Sequence, residues 1–188
     1  MLSSRKKNAL IYVLAALWMV MLGAFYFWYQ GRYIRPFNEN TVVFDAKSLQ
    51  LPAELAGEGK IRVVHLWDPP CPCNVGNQQH LTELLHRFAG RVNFYVWQKP
   101  GSRGHLPEGL NGLQPLSSLP GAEQLPASPA VAIWDTHGQL AYFGPYSEGA
   151  VCSSDNSFIE PVLEALLDGR TVNSPGGLAV GCYCPWKS

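Results

Sequence analysis

Hydrophobic and polar positions divide this chain into three kinds of stretch. From Ala9 to Trp28 almost every residue is apolar or small, and no charge stands between Lys7 and Arg32. Such a run spans roughly 30 Å as a helix, the thickness of a bilayer's hydrocarbon core. It closes on Phe25-Tyr-Phe-Trp-Tyr29, an aromatic cluster suited to a membrane interface. A cleaved signal peptide is the competing reading. Signal h-regions run about 7–15 residues, and Leu22-Gly23-Ala24 makes a poor cleavage site. The pattern predicts a transmembrane anchor over 8–29, after an N-terminal arm over 1–7 and before a polar, aromatic-containing linker over 30–40. Arg5, Lys6 and Lys7 precede the run, whereas Arg32 and Arg35 follow it. That bias is slight, but it predicts a single-pass protein with a cytoplasmic N-terminus and an extracytoplasmic (periplasmic) C-terminal domain.

Shorter patterns follow. Residues 41–49 (TVVFDAKSL) predict a first strand, and 53–57 one helical turn. Residues 61–67 form an apolar run that reads as a buried strand. It breaks at Asp68-Pro69-Pro70. Residues 75–89 carry Leu81, Leu84, Leu85 and Phe88 at helical spacing, with Gly90 as a stop. Residues 92–97 (VNFYVW) predict another strand. Strand, helix, strand at this spacing is a βαβ unit, so the two strands should be parallel.

Residues 98–127 break the periodicity with five prolines and five glycines. A structureless loop of that length is unusual in a compact domain; a short helix over 117–124 is expected, with the rest a surface insertion. Ser128-Pro129 then leads into an apolar strand over 130–134. Asp135-Thr-His-Gly138 signals a turn, so 139–144 should return as the second arm of a hairpin. Ser157-Phe-Ile-Glu160 has capping-box form and opens a last helix to Asp168, stopped by Gly169. The tail, 170–188, is rich in glycine and proline.

Composition narrows the chemistry. The chain has 188 residues, 47% apolar, with a formal net charge of +0. One domain with its own core is affordable at that size, and a nucleic-acid footprint is not expected. Five cysteines, Cys71, Cys73, Cys152, Cys182 and Cys184, are too few for a disulfide-dense scaffold, and their odd number leaves at least one unpaired within the chain. Four of them form two Cys-x-Cys motifs: Cys71-Pro-Cys73 between a strand and a helix, and Cys182-Tyr-Cys184 in the tail. Sulfur at a helix N-terminus faces unsatisfied N–H groups and a dipole that favours thiolate over thiol.

The order β-α-β-α-β-β-α, with paired cysteines after an early strand and Ser128-Pro129 before a hairpin, resembles the thioredoxin fold over residues 41–169. Trp67 precedes Cys71 by four residues, as a tryptophan precedes the first active-site cysteine in thioredoxins. The resemblance implies an α/β domain with a central mixed sheet flanked by helices, a cis Ser128–Pro129 bond, and a Pro129 that packs against the cysteines and presents partner backbone. An anchored, exported member resembles the membrane-tethered thiol–disulfide proteins of bacterial envelopes. The sequence departs from that pattern in two places. Only Pro72 separates the cysteines, where the family has two residues. His65 stands where thioredoxins carry a buried acid.

Thiol–disulfide exchange with protein partners is therefore the leading expectation. Cys71 is the exposed nucleophile, Cys73 the resolving thiol that bridges to it, and Cys182 and Cys184 a relay. A membrane redox partner is compatible with the anchor. The tail can reach: from Gly169 to Cys182 is at most about 43 Å of extended chain. No cofactor is needed for exchange. The alternative is a thiolate site for Cu or Zn built from Cys71, Cys73, Cys182 and Cys184, as a metal protein or chaperone. A further alternative is a non-catalytic interaction module. Cys152 could instead lock the tail through a disulfide. His65 is either a core histidine or a proton-transfer group. His80 is expected at the surface, His86 flanking the core and His137 exposed in its turn. Asp68 either tunes Cys71 or shapes the turn, and Trp186 is a candidate for docking the tail.

Overall fold

The computed structural model describes residues 4–37, 46–175 and 179–186. A helix, α1 (Ser4–Tyr33), leads straight into a short strand, β1 (Ile34–Pro36). The domain then runs β2 (Ile61–Trp67), α2 (Val75–Arg87), β3 (Val92–Gln98), β4 (Gln114–Pro115), β5 (Ala127–Ser128), β6 (Ala130–Trp134), β7 (Leu140–Gly144), α3 (Ile159–Leu167), β8 (Ser174–Pro175), β9 (Val180–Cys182) and β10 (Cys184–Pro185).

The central sheet has the order β4-β3-β2-β6-β7-β8. Strands β2 and β3 are parallel, with Val64 opposite Tyr95. Strands β2 and β6 are antiparallel, with Val64 opposite Ala132. Strand β7 completes the antiparallel hairpin with β6. This is the mixed sheet of a thioredoxin-like fold, and the βαβ unit lies where the hydrophobic periodicity puts it. All seven residues of β2 are buried, which explains why the sequence there is a continuous apolar run rather than an alternation. Its one cation, Arg62, donates to the carbonyl oxygens of Asp135 and Gly57 at 2.9 and 2.7 Å. A buried guanidinium needs such acceptors.

The two faces of the sheet are covered differently. Leu81 and Leu84 of α2, Phe88 at its C-terminal cap, and Ile159 and Leu163 of α3 pack on the face carrying Ile61, Val63 and Trp67. The opposite face carries Val64, Leu66, Tyr95 and Trp97 and is covered by Leu119, Leu125, Tyr183 and Trp186. The proline- and glycine-rich stretch 98–127 is thus in part packed: Leu119, Ala122 and Leu125 cover this face, while residues 101–109 have no buried side chain and stay at the surface. Proline offers no N–H to satisfy, so extended segments can lay Leu119 and Leu125 on the sheet without forming a helix. The expected helix over 117–124 shrinks to a 3-10 turn at Ala122–Gln124.

Other expectations also change. Residues 41–45 of the proposed first strand lie outside the described residues, and Ala46–Ser48 is a 3-10 turn, not a strand. The described part of the linker is structured: residues 30–33 continue α1, and β1 pairs with β9, Ile34 lying opposite Cys182. Among the described residues one helix, Arg5–Tyr33, is long and apolar enough to cross a membrane. The cap at Ser157 is half of the expected box. Its Oγ accepts the N–H groups of Ile159 and Glu160, while the Glu160 carboxylate pairs with Arg87.

Candidate functional site

Strand β2 delivers the chain to Asp68, and the turn that follows is tied down by its own backbone. The Cys71 N–H donates to the Asp68 carbonyl oxygen at 3.0 Å, and the Asn74 side-chain amide donates to the same oxygen at 2.9 Å. The Asp68 carboxylate is paired with Lys99 Nζ at 3.1 Å. Pro72 occupies the first turn of a 3-10 helix that runs into α2, where a missing N–H costs nothing. Cys71 and Cys73 are thereby fixed at the C-terminal edge of the sheet.

The tail comes back to the same edge. Strand β10 pairs antiparallel with β5, Cys184 opposite Ser128 and Pro185 opposite Ala127. Strand β9 pairs with β1, and the Tyr183 N–H donates to the Tyr33 carbonyl oxygen at 3.0 Å. Gly181 makes this path available: a Cβ there would stand 2.3 Å from the Gly149 carbonyl oxygen. Trp186 stacks on Trp97, ring centroids 5.6 Å apart, as the tail-docking reading expected.

All four motif cysteines meet. Cys71 is bridged to Cys184 and Cys73 to Cys182, with Cα atoms 6.0 and 5.3 Å apart. The pairing is nested, outer with outer and inner with inner, and it replaces the expected Cys71–Cys73 bond. Two cysteines flanking one proline on a turn-to-helix path diverge, whereas a strand laid beside them offers sulfurs at the right spacing. The Sγ atoms of Cys71, Cys73 and Cys184 all lie within 4.8 Å of one another.

The expectation of an exposed Cys71 is also corrected: it is 4% exposed, and Cys184, the most open of the four, 9%. The cluster is covered by Tyr29, Tyr33 and Ile34 from the end of α1 and the start of β1. Tyr29 Oη stands 3.5 Å from Cys182 Sγ; the bridged sulfur has no proton, so the phenol is the donor. Cys71 Sγ lies 3.7 Å from the Ser128 carbonyl oxygen. The Ser128–Pro129 peptide is cis, and Pro129 is buried beside the cluster's edge strand.

The remaining residues stand apart. Cys152 is a free, buried thiol, so it does not lock the tail; burial pushes its pKa up to about 11. His65 Nδ1 is 2.8 Å from the Tyr146 hydroxyl, and burial lowers its pKa to about 3. It is a neutral core histidine on the helix-covered side of β2. His80 is buried and not at the surface, with Nε2 2.8 Å from Ser157 Oγ. Burial lowers its pKa, opposed by the Glu160 and Glu83 carboxylates. His86 is exposed instead of flanking the core. One step along α2 explains the exchange, because the helix turns its apolar stripe toward Leu81, Leu84 and Phe88 and His80 falls beside it. His137 is exposed in its turn. Sequence reasoning missed Tyr29, Tyr33 and Trp97 as members of the site. No spacing marks them; they belong to the site through tertiary contacts alone.

The strand order and the cysteine-bearing turn define a thioredoxin-like α/β domain whose own tail is cross-bridged to that turn. The chain belongs to the family described as "Domain of unknown function (DUF6436)", whose model matches residues 40–186. No curated protein matches it. Among solved structures it is similar to a hypothetical protein from Sinorhizobium meliloti 1021, at 15% identity and a TM-score of 0.49, over 69% of this chain and 80% of that one. It is similar to an uncharacterized conserved protein from Geobacillus kaustophilus, at 15% identity and a TM-score of 0.47, over 84% of this chain and 88% of that one. It is also similar to a thioredoxin-like protein solved in its oxidized form, at 19% identity and a TM-score of 0.42, over 73% of this chain and 97% of that one.

Proposed function

We propose that this protein is a membrane-anchored, extracytoplasmic thiol–disulfide exchange protein in which Cys71 and Cys73 react with partner thiols or disulfides and Cys182 and Cys184 relay the exchange. One observation carries the reading: both motifs converge, and three of their sulfurs lie within 4.8 Å of one another. At that separation a thiolate released from one bridge can attack the next. The two cross-bridges can isomerise to Cys71–Cys73 and Cys182–Cys184 with no net change in electrons, and full reduction stores four. Cys152, held protonated by burial, takes no part. A bridged state persists in an oxidising compartment, which supports the extracytoplasmic side. The contact of Tyr29 and Tyr33 with the cluster supports a redox partner at or in the membrane.

The test is exchange by the full chain in detergent micelles. Wild type should equilibrate with a glutathione redox buffer, and Cys73→Ser should accumulate Cys71 mixed disulfides after acid quench. Absence of both sinks the proposal. The same convergence of sulfurs favours one second reading, a soft-metal site formed when the bridges are reduced. Stoichiometric copper(I) or zinc(II) that survives dialysis and blocks alkylation of all four thiols would select it.

A further inference from the structure

In the bridged state the approach to Cys71 is taken up by the chain's own tail, which a client must displace. The tail lies against it, and none of the four sulfur-bearing residues is more than 9% exposed. What fills the approach is itself an extended strand. Its main chain is held by the pairing of Cys184 with Ser128 and Pro185 with Ala127, and by the Trp186 N–H donating to the Pro126 carbonyl oxygen at 3.3 Å. Such bonds are the same for any sequence. Two side chains make contacts that are not. Cys184 is bonded to Cys71. Trp186, two residues on, is buried and stacked on Trp97, with an interplanar angle of 24°, and Lys99 Nζ sits 5.7 Å from its ring centroid. Trp97 and Lys99 belong to the core domain, so the aromatic slot is built independently of the tail.

We propose that β10 is a built-in mimic of the client. The groove it fills takes an extended polypeptide whose cysteine is followed, two positions later, by a large aromatic residue. This rests on the exchange reading above and names its substrate class. The client thiolate attacks Cys71 Sγ; a client–Cys71 bond forms, the Cys71–Cys184 bond breaks, and Cys184 leaves as a thiolate. One thiolate is consumed and one produced, so no oxidant is required. The client strand then pairs with Ala127–Ser128 and its aromatic ring takes the Trp186 position against Trp97 and under Lys99.

The test uses the full chain in micelles carrying Cys73→Ser and Cys182→Ser, which leaves Cys71–Cys184 as its bridge. Reduced peptides Tyr-Cys-Pro-Trp and Tyr-Cys-Pro-Ala, blocked at both ends, and glutathione are each added. Cys71 adducts are counted by mass spectrometry after acid quench. Burial and stacking of one ring should favour the tryptophan peptide by about tenfold. Trp186→Ala, which takes the competing ring off Trp97, should raise the yield of both peptides and keep their ratio. Equal yields, an adduct with glutathione but not with the tryptophan peptide, or yields indifferent to Trp186→Ala would each overturn the mimic and leave exchange standing. No adduct with any of the three thiols would overturn exchange itself.

Discussion

The two Cys-x-Cys motifs share a spacing and differ in everything that holds them. Cys71 and Cys73 stand on a turn between a fully buried strand and a helix, fastened by backbone and Asn74 hydrogen bonds in which no tail residue takes part. Cys182 and Cys184 stand on strands of three and two residues. Their position depends on two bridges, a few main-chain bonds and one tryptophan stack. The domain positions the first pair, and the first pair positions the second. A tail held this way can be released by chemistry that leaves the domain folded, which is the property a relay or a displaceable mimic needs.

The largest test of that asymmetry is to break the bridges in turn. The Cys73–Cys182 cross-link spans 109 residues of sequence, and a loop of that length constrains the unfolded chain by about 5 kcal/mol. Once one bridge is closed, the second encloses only a small ring and adds far less. Cys71→Ser with Cys73→Ser should therefore lower stability by about 5 kcal/mol, and either single change by a small part of that. Denaturant titration of the full chain in micelles would show it; additive single losses would mean that the two bridges act on separate regions.

The second test loosens the domain side. His65 is held neutral, with a folded pKa of about 3 against about 6.5 when unfolded. Between those values the unfolded chain binds more protons, so stability falls as pH drops from about 6.5 to about 3. At pH 4 the loss from this group is about 3 kcal/mol. His80, also lowered by burial, acts in the same direction. His65→Gln should flatten the slope of stability against pH in that window; an unchanged slope would place the acid sensitivity elsewhere.

The third acts on the tail alone. In Gly181→Ala the new Cβ meets the Gly149 carbonyl and should cost about 1–3 kcal/mol. Read against a glutathione titration, both bridges should reduce more easily while the melting of the reduced domain stays as in wild type. The smallest is Tyr29→Phe, which removes a hydroxyl 3.5 Å from Cys182 Sγ. One weak hydrogen bond to sulfur should shift the reduction midpoint by less than about 1 kcal/mol. A larger shift would mean that the end of α1 controls the cluster.

These residues also mark what could be read in advance. Helix α2 was legible from its helical period, and β2, β3 and the hairpin from short apolar runs bounded by turn signals. The Cys71-Pro-Cys73 turn was legible because proline and helix start are local signals. The packed part of 98–127 was not, because prolines erase the period that would have announced its buried leucines. His80 and His86 were exchanged because a small rotation of an amphipathic helix moves a flanking residue in or out.

By itself the sequence determined one long apolar helix, a βαβ-led α/β domain, and two thiol pairs of equal spacing. Each of these is set by neighbours along the chain, through hydrogen-bonding period, chain stiffness and hydropathy. Only the tertiary structure decided which sulfur bonds which, that the end of α1 covers them, and that Trp186 lies on Trp97. Those depend on the position of a tail more than a hundred residues from its partners, where reach permits many pairings and only packing selects one.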